Sequence, residues 1–323
     1  MMIRFGLIGT SEISEKMAQA LHQCPKTTPR AIYSRSAQKA TEFAQKHRIP
    51  CPCSTLEQLA EEVDAVYIAS PNSLHCEQAV FFLERRIPVL CEKPLASNLK
   101  EVNRMIDTAE RNDTYLAEAY KSQWMPAYAA MKENLSSLGR IRHVRFDFCK
   151  YSSRYDSHRR GEDVNTFKAE FSNGALLDLG VYCLYPALDL FGAPKSVTSS
   201  GILVPGGVDG LGCTVMTYDD FIVTMNYSKV SSANRQCEIQ GELGTMTIDA
   251  ISTPKLVEIT LNSGEYKAYS PYTEENDMVY ECEAFADALE RGASVDGVSF
   301  RRAFEIMDRV REIVGIHYPA DEK

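Results

Sequence analysis

Apolar residues recur along the chain in two rhythms. Up to about residue 118, short apolar runs alternate with helical spacings, the signature of a parallel sheet flanked by helices. Residues 3–8, Ile-Arg-Phe-Gly-Leu-Ile, predict the first strand, and Ile13, Met17 and Leu21 mark the inner face of the helix behind it. Strands are then expected over 30–33, 63–69, 87–91 and 114–117, and helices over 37–47 and 74–84. Ser97 or Asn98 caps a further helix whose inner face is Leu99, Val102, Ile106 and Ala109.

Beyond Pro126 and its helix the rhythm becomes long alternation: 141–148, 197–204, 212–217, 221–227, 236–240, 245–249 and 256–261. Turn signals such as Asp219-Asp220 and Asn262-Ser263-Gly264 separate these runs, as an antiparallel meander requires. Helices are expected over 175–191 and in two C-terminal segments, one carrying Val279, Cys282, Phe285 and Leu289, the other Phe300, Ala303, Ile306, Val310 and Ile313. The expected fold class is α/β. A doubly wound parallel sheet of the Rossmann kind spans 1–119, and a C-terminal α+β domain with an open, mainly antiparallel sheet spans 120–323. An open sheet needs a cover, so a homodimer or homotetramer formed through it is expected.

Composition narrows the partners. The 323 residues exceed what a single core supports, which agrees with two domains. With 35 basic and 44 acidic residues the net charge is −9, which disfavours nucleic acid and anionic membranes, so the expected partner is a small molecule. The N-terminal apolar run is too short for a secretion signal, and no stretch reads as a membrane helix, so a cytoplasmic protein is expected. The ten cysteines lie mostly inside apolar segments without repeated spacing, as reduced buried thiols do. A zinc site built from Cys51, Cys53, His47, His75 and Cys76 is the weaker alternative; the spacing is wrong, and no metal is expected.

The chemistry-bearing residues cluster at predicted strand ends. Gly9-Thr10-Ser11-Glu12-Ile13-Ser14 stands where a dinucleotide fingerprint would read G-x-G-x-x-G/A, so only the first glycine is present. Ser11 adds a side chain where pyrophosphate approaches, yet its hydroxyl and the helix N-terminal amides can donate to phosphate. After the second strand, Tyr33-Ser34-Arg35, with Lys39 one turn on, replaces the acid that would hold a ribose 2′-hydroxyl, which points to NADP(H) with NAD(H) as the second choice. Arg35 as a solvated helix-start residue is the plainer alternative. Ser70, Asn72 and His75 follow the strand ending at Ala69 and are expected near the cofactor, although His75 reads equally well as a helix-start residue without a ligand.

Glu92-Lys93-Pro94 delivers a lysine from an apolar strand into a turn fixed by proline, at the edge where such sheets bind ligands. Asp178 and Tyr182 lie one helical turn apart in an otherwise apolar segment. A helix-capping acid and a core tyrosine would explain either alone but not both together. Together these segments suggest hydride transfer in which Tyr182 moves the proton and Lys93 assists. A free tyrosine ionises near ~10, roughly 4 kcal/mol from neutrality, and one cation about 4 Å away at an effective dielectric near 20 supplies on the order of 4 kcal/mol.

Through the glycine turn, Ser70-Pro71-Asn72-Ser73-Leu74-His75, Glu92-Lys93-Pro94 and residues 174–180, nearly the whole chain resembles the glucose-fructose oxidoreductase and inositol dehydrogenase family. Many members carry histidine where this chain has Tyr182, and the resemblance is to the tyrosine-bearing branch of dimeric dihydrodiol dehydrogenase and related sugar dehydrogenases. It implies a dehydrogenase or reductase acting on CH–OH groups of a sugar, polyol or dihydrodiol. It also implies Lys93 and Tyr182 as the catalytic pair, Asp178 beside the substrate, and a C-terminal sheet used for assembly. Gly9, Thr10, Ser11, Ile13, Ser34, Arg35, Lys39, Ser70, Asn72, His75, Glu92 and Lys93 are expected to contact the cofactor, and Lys93, Trp124, Asp178 and Tyr182 the substrate. Two departures stand out: Ser11 replaces the second glycine, and Gln123-Trp124-Met125-Pro126 replaces an Arg-aromatic-His-Pro run, which loosens any inherited specificity. A non-catalytic NAD(P)-binding regulator and a biliverdin-type reductase are the competing readings.

Overall fold

The computed structural model describes residues 2–322. Their backbone divides into two units, Met1–Lys121 with Glu274–Phe300, and Ser122–Thr273 with Arg301–Lys323.

The first unit alternates strand and helix: β1 (Ile3–Ile8), α1 (Glu12–Gln23), β2 (Thr27–Tyr33), α2 (Ala37–His47), β3 (Cys51–Cys53), α3 (Leu56–Glu62), β4 (Ala65–Ile68), α4 (His75–Leu83), β5 (Val89–Glu92), α5 (Leu99–Arg111) and β6 (Leu116–Ala119). The six strands lie in the order β3-β2-β1-β4-β5-β6, and every pairing is parallel. This is the doubly wound sheet expected from the sequence, and all its strand ends that carry chemistry share one edge. Its inner strands read as continuous apolar runs because both faces are covered: Phe5, Leu7, Ala65, Tyr67, Val66 and Leu90 are buried.

The second unit holds α6 (Pro126–Asn134), β7 (Ile141–Cys149), α7 (Tyr155–Arg159), α8 (Val181–Phe191), β8 (Ser196–Val204), β9 (Val208–Thr217), β10 (Ile222–Ser228), β11 (Cys237–Gly241), β12 (Gly244–Ile248), β13 (Val257–Leu261) and β14 (Tyr266–Tyr269). They form an eight-stranded sheet in the order β14-β13-β12-β11-β7-β10-β9-β8. It is mainly antiparallel, as expected, but not a simple meander, because β7 and β10 pair in parallel at its centre. Along β10, Val223, Met225 and Tyr227 face inward and are buried under α8, while Ile222, Thr224 and Asn226 face outward.

The expected division into 1–119 and 120–323 is corrected by α9 (Val279–Glu290), which groups with the first unit. Its apolar face closes the core behind β1 and α1: the Phe285 ring lies 5.5 Å from Phe5, and Cys282 Sγ lies 3.3 Å from Met17 Sδ. The last helix, α10 (Gly297–Val314), buries Phe304, Met307 and Val310. The segment Ala169–Phe191, continuously helical only from Ala175, is long and apolar enough to cross a membrane by length and composition alone, but 67% of its apolar window is buried inside the protein, as in a core helix.

Candidate active site

Each unit carries a cluster of polar groups on its own elements. In the first, the β1–α1 turn is built around Gly9, whose φ of +108° disfavours a side chain and where a Cβ would lie 2.6 Å from the carbonyl oxygen of Ala69. Thr10 follows in the turn, and Ser11 is exposed at the N-cap of α1 with its hydroxyl 3.2 Å from that of Ser14. Ile13 is half-buried against the core. A helix N-terminus with an exposed hydroxyl and close backbone approach suits a phosphate. At the end of β2, Ser34 Oγ accepts from the Ser36 amide, and Ser36 caps α2 by accepting from the Lys39 amide at 3.3 Å. Arg35 and Lys39 are exposed, and neither makes an ion pair among the described residues. These groups fit a dinucleotide, and the two cations fit one with an additional ribose phosphate.

The β4 and β5 ends show which expected contacts are instead supports. Ser70 donates to Gln78 Oε1 at 2.7 Å, and Asn72 opens a short 3₁₀ turn leading to α4. His75 departs from its expected cofactor contact. It is fully buried, with Nδ1 2.9 Å from the carbonyl oxygen of Pro94 and Nε2 2.9 Å from that of Ser70, so it ties the loops after β4 and β5 together. Burial pulls its pKa below the usual histidine value. Glu92 departs likewise. One carboxyl oxygen accepts from the Tyr67 hydroxyl and the other from the Lys93 amide at 3.2 Å, so the side chain fixes the turn that presents Lys93. Burial raises the Glu92 carboxyl, and Lys93 and Tyr67 oppose that rise.

The rest of that turn is held just as firmly. The Lys93–Pro94 peptide is cis, Glu118 Oε1 accepts from the Leu95 amide at 2.7 Å, and Asn98 caps α5 by accepting from the Glu101 amide at 2.9 Å. Glu281 of α9 is buried with neither carboxyl oxygen hydrogen-bonded, and desolvation, reinforced by the charge of Glu92, pushes its pKa well above the carboxylate range. Lys121 and Asp277 pair at 2.6 Å in the same unit. Trp124, the expected substrate contact, is 46% exposed on a 3₁₀ turn at Lys121–Trp124.

In the second unit, Asp178 and Tyr182 are presented by a helical start built in an unusual way. Leu176–Gly180 forms a π-helical turn that runs directly into α8, so the regular α-helical spacing expected between the acid and the tyrosine is replaced by a wider turn at Asp178. The turn is anchored by Asp209 of β9. That buried carboxylate accepts from the Leu176 amide at 2.7 Å, and Gly174, at φ +139°, is required because a Cβ there would lie 2.1 Å from Asp209 Oδ1. Burial raises the Asp209 pKa to about 6, against the backbone amides and Lys229, which lower it. The Tyr182 ring meets Phe148 of β7 edge-on at 5.4 Å.

Two groups here were missed in the sequence. Asp209 sits in an apolar strand without a motif. Lys229 lies just past β10, where its Nζ is 2.7 Å from Asp178 Oδ2, and its side chain is only 4% exposed. A signal existed for Lys229, since it continues the inward phase Val223, Met225, Tyr227. Phe167 is buried against Tyr155 and His158, with ring centroids 5.5 and 4.6 Å away. Among the described residues no group of three or more His, Cys, Asp or Glu is placed to hold a metal.

A doubly wound nucleotide-type unit joined to a large open sheet defines a class of two-domain oxidoreductases. Residues 3–120 match the oxidoreductase family with an NAD-binding Rossmann fold, and residues 128–247 match the GFO/IDH/MocA C-terminal domain, so the chain belongs to the GFO/IDH/MocA family and is an oxidoreductase. It is 42% identical to the scyllo-inositol 2-dehydrogenase (NADP(+)) IolU of Bacillus subtilis, over 99% of this chain and all of that protein. It is 29% identical to the trans-1,2-dihydrobenzene-1,2-diol dehydrogenase of Danio rerio, over the full length of both. Among solved structures, KijD10, a 3-ketoreductase from Actinomadura kijaniata, shares the fold with a TM-score of 0.86 at 23% identity, over 97% of this chain and 98% of that one.

Proposed function

We propose that the protein is an NADP(H)-preferring dehydrogenase interconverting a secondary alcohol and a ketone on a cyclic polyol or sugar, with Tyr182 as the acid/base and Lys93 assisting it. The observation that carries this reading is the full-length similarity to an NADP(+)-dependent inositol dehydrogenase. Exposed, unpaired Arg35 and Lys39, in place of a ribose-binding acid, support the cofactor preference.

When bound, NADP(H) would supply the hydride acceptor or donor. Gly9, Thr10 and Ser11 would hold its phosphates, Ser34, Arg35 and Lys39 the additional phosphate, and Asn72 a ribose or phosphate oxygen. In oxidation the substrate hydroxyl gives its proton to Tyr182 Oη as the carbon gives up hydride, and reduction returns the proton from the same atom. Lys93 carries the positive charge that favours this transfer, held in place by the Glu92 and Pro94 turn. Asp178 accepts a hydrogen bond from a neighbouring substrate hydroxyl. Assembly as a homodimer or homotetramer through the C-terminal sheet belongs to the same reading, supported by the exposed alternate residues Ser196, Thr198, Ser200 and Ile202 of β8. A cytoplasmic location fits ten cysteines without a disulfide.

The test is a substrate screen with NADP+ against inositols, aldoses and dihydrodiols, and with NADPH against inososes, diketones and biliverdin. Turnover is expected with inositols or their ketones and with NADP(H) over NAD(H). Turnover confined to biliverdin, or cofactor binding without turnover of any alcohol or ketone, would overturn the proposal.

A further inference from the structure

We infer that Lys229 is a positioning residue, which fixes the Asp178 carboxylate for the substrate and thereby sets substrate affinity; this rests on the function proposed above. Lys229 occupies an inward position of the β10 line, where Val223, Met225 and Tyr227 are apolar or aromatic core residues. Its backbone is ordinary: the amide donates to the Gly210 carbonyl at 2.8 Å, and its carbonyl accepts from the Ser152 amide at 2.8 Å. Its side chain is not. The ammonium is 2.7 Å from Asp178 Oδ2, 3.5 Å from the Thr166 carbonyl oxygen and 5.3 Å from the centroid of the Phe167 ring.

Burying an ammonium costs several kcal/mol of hydration, and an ion pair recovers this only with close geometry, so an apolar residue would serve stability as well or better. The asymmetry of exposure says what the pair does instead. The lysine is 4% exposed and the aspartate 38%, so the cation anchors the acid from inside while the acid reaches the surface one turn before Tyr182. The Phe167 ring, covered by His158 and Tyr155, walls the ammonium from the other side. A carboxylate held in this way keeps one orientation, which is what recognition of a specific hydroxyl requires.

Steady-state kinetics of the intact enzyme with scyllo-inositol and NADP+ provide the test. If the wild type turns over neither scyllo-inositol nor any other alcohol, the proposed function fails and takes this inference with it. If the wild type is active, the variants judge Lys229 alone. Lys229→Met should raise the polyol KM about tenfold or more, with kcat changed much less and NADPH affinity unaltered. Asp178→Asn in the same chain should add nothing further to the KM, because the two side chains act as one unit, and Lys229→Arg should restore most of the affinity. Lys229→Gln removes the charge while keeping a donor, and reads the same effect if the methionine variant does not fold. A wild-type KM in Lys229→Gln, a loss confined to kcat, or additive losses in the double variant would overturn the inference.

Discussion

Arg35 and Lys39 are placed as a pair of solvent-facing cations at the end of β2, with no carboxylate to occupy them among the described residues. A charge without a protein partner is available to a ligand phosphate, and an arginine binds one through a fork of parallel donors. Arg35→Ala is therefore expected to weaken NADPH about tenfold or more while leaving NADH nearly unchanged, read by fluorescence titration of each dinucleotide. Equal losses for both would make the arginine structural. At this scale two neighbours show what the sequence leaves open. His75 and Glu92 have the residue types of ligand contacts, yet both turn inward to backbone and to Tyr67. A side chain's direction at a loop is decided by partners far along the chain, which local spacing does not encode.

The π turn ahead of α8 shows how an element can be set by one buried acid. Asp209 accepts from the amide that opens the turn, and Gly174 exists in a form only glycine tolerates so that the carboxylate can approach. The pKa of Asp209 in the folded chain, about 6, lies above its unfolded value, so the folded state binds its proton more tightly. The associated stability is fully present below the unfolded pKa near ~4 and is lost as pH rises through about 6, an effect of roughly 3 kcal/mol. Asp209→Asn keeps an acceptor for Leu176 and cannot titrate. Relative to this variant, the wild type should lose about that much stability between pH 4 and 7, measured by urea unfolding. A constant difference across that range would show that Asp209 does not carry the linkage.

Elements also mark what was legible beforehand. Strands such as β1, a continuous apolar run, and β10, a clear alternation, extend over six or seven residues, whereas β3 has three residues with a proline at its centre and β14 is a short, exposed edge. Neither offers enough alternation to read. The parallel pairing of β7 with β10 was hidden for another reason, since pairing direction depends on long connections rather than on local pattern. Lys229 was legible in principle, as a lysine on the buried phase of a strand. Asp209 was not, because an acid whose role is to hold a distant turn carries no signal of its own.

For the molecule as a whole, the residues of the proposal are divided by the chain's architecture: Lys93 belongs to one unit, and Tyr182 with Asp178 to the other. The Gly9 turn, Arg35 and Lys93 follow carboxyl ends of the parallel sheet's strands, and Tyr182 is carried by the helix that packs on the open sheet. The family and its two-part architecture were readable because Glu92-Lys93-Pro94 and the segment around Asp178 carry the resemblance in the sequence itself. The passage of α9 back to the first unit was not, since an amphipathic helix does not declare which core it will cover. The most direct measurement is turnover of the best alcohol substrate by Tyr182→Phe and by Lys93→Met, with NADPH affinity measured alongside. Each variant should lose about two orders of magnitude in kcat while binding NADPH nearly as well as the wild type. Near-normal turnover in either variant would contradict the assignment of the phenol and the amine to proton transfer.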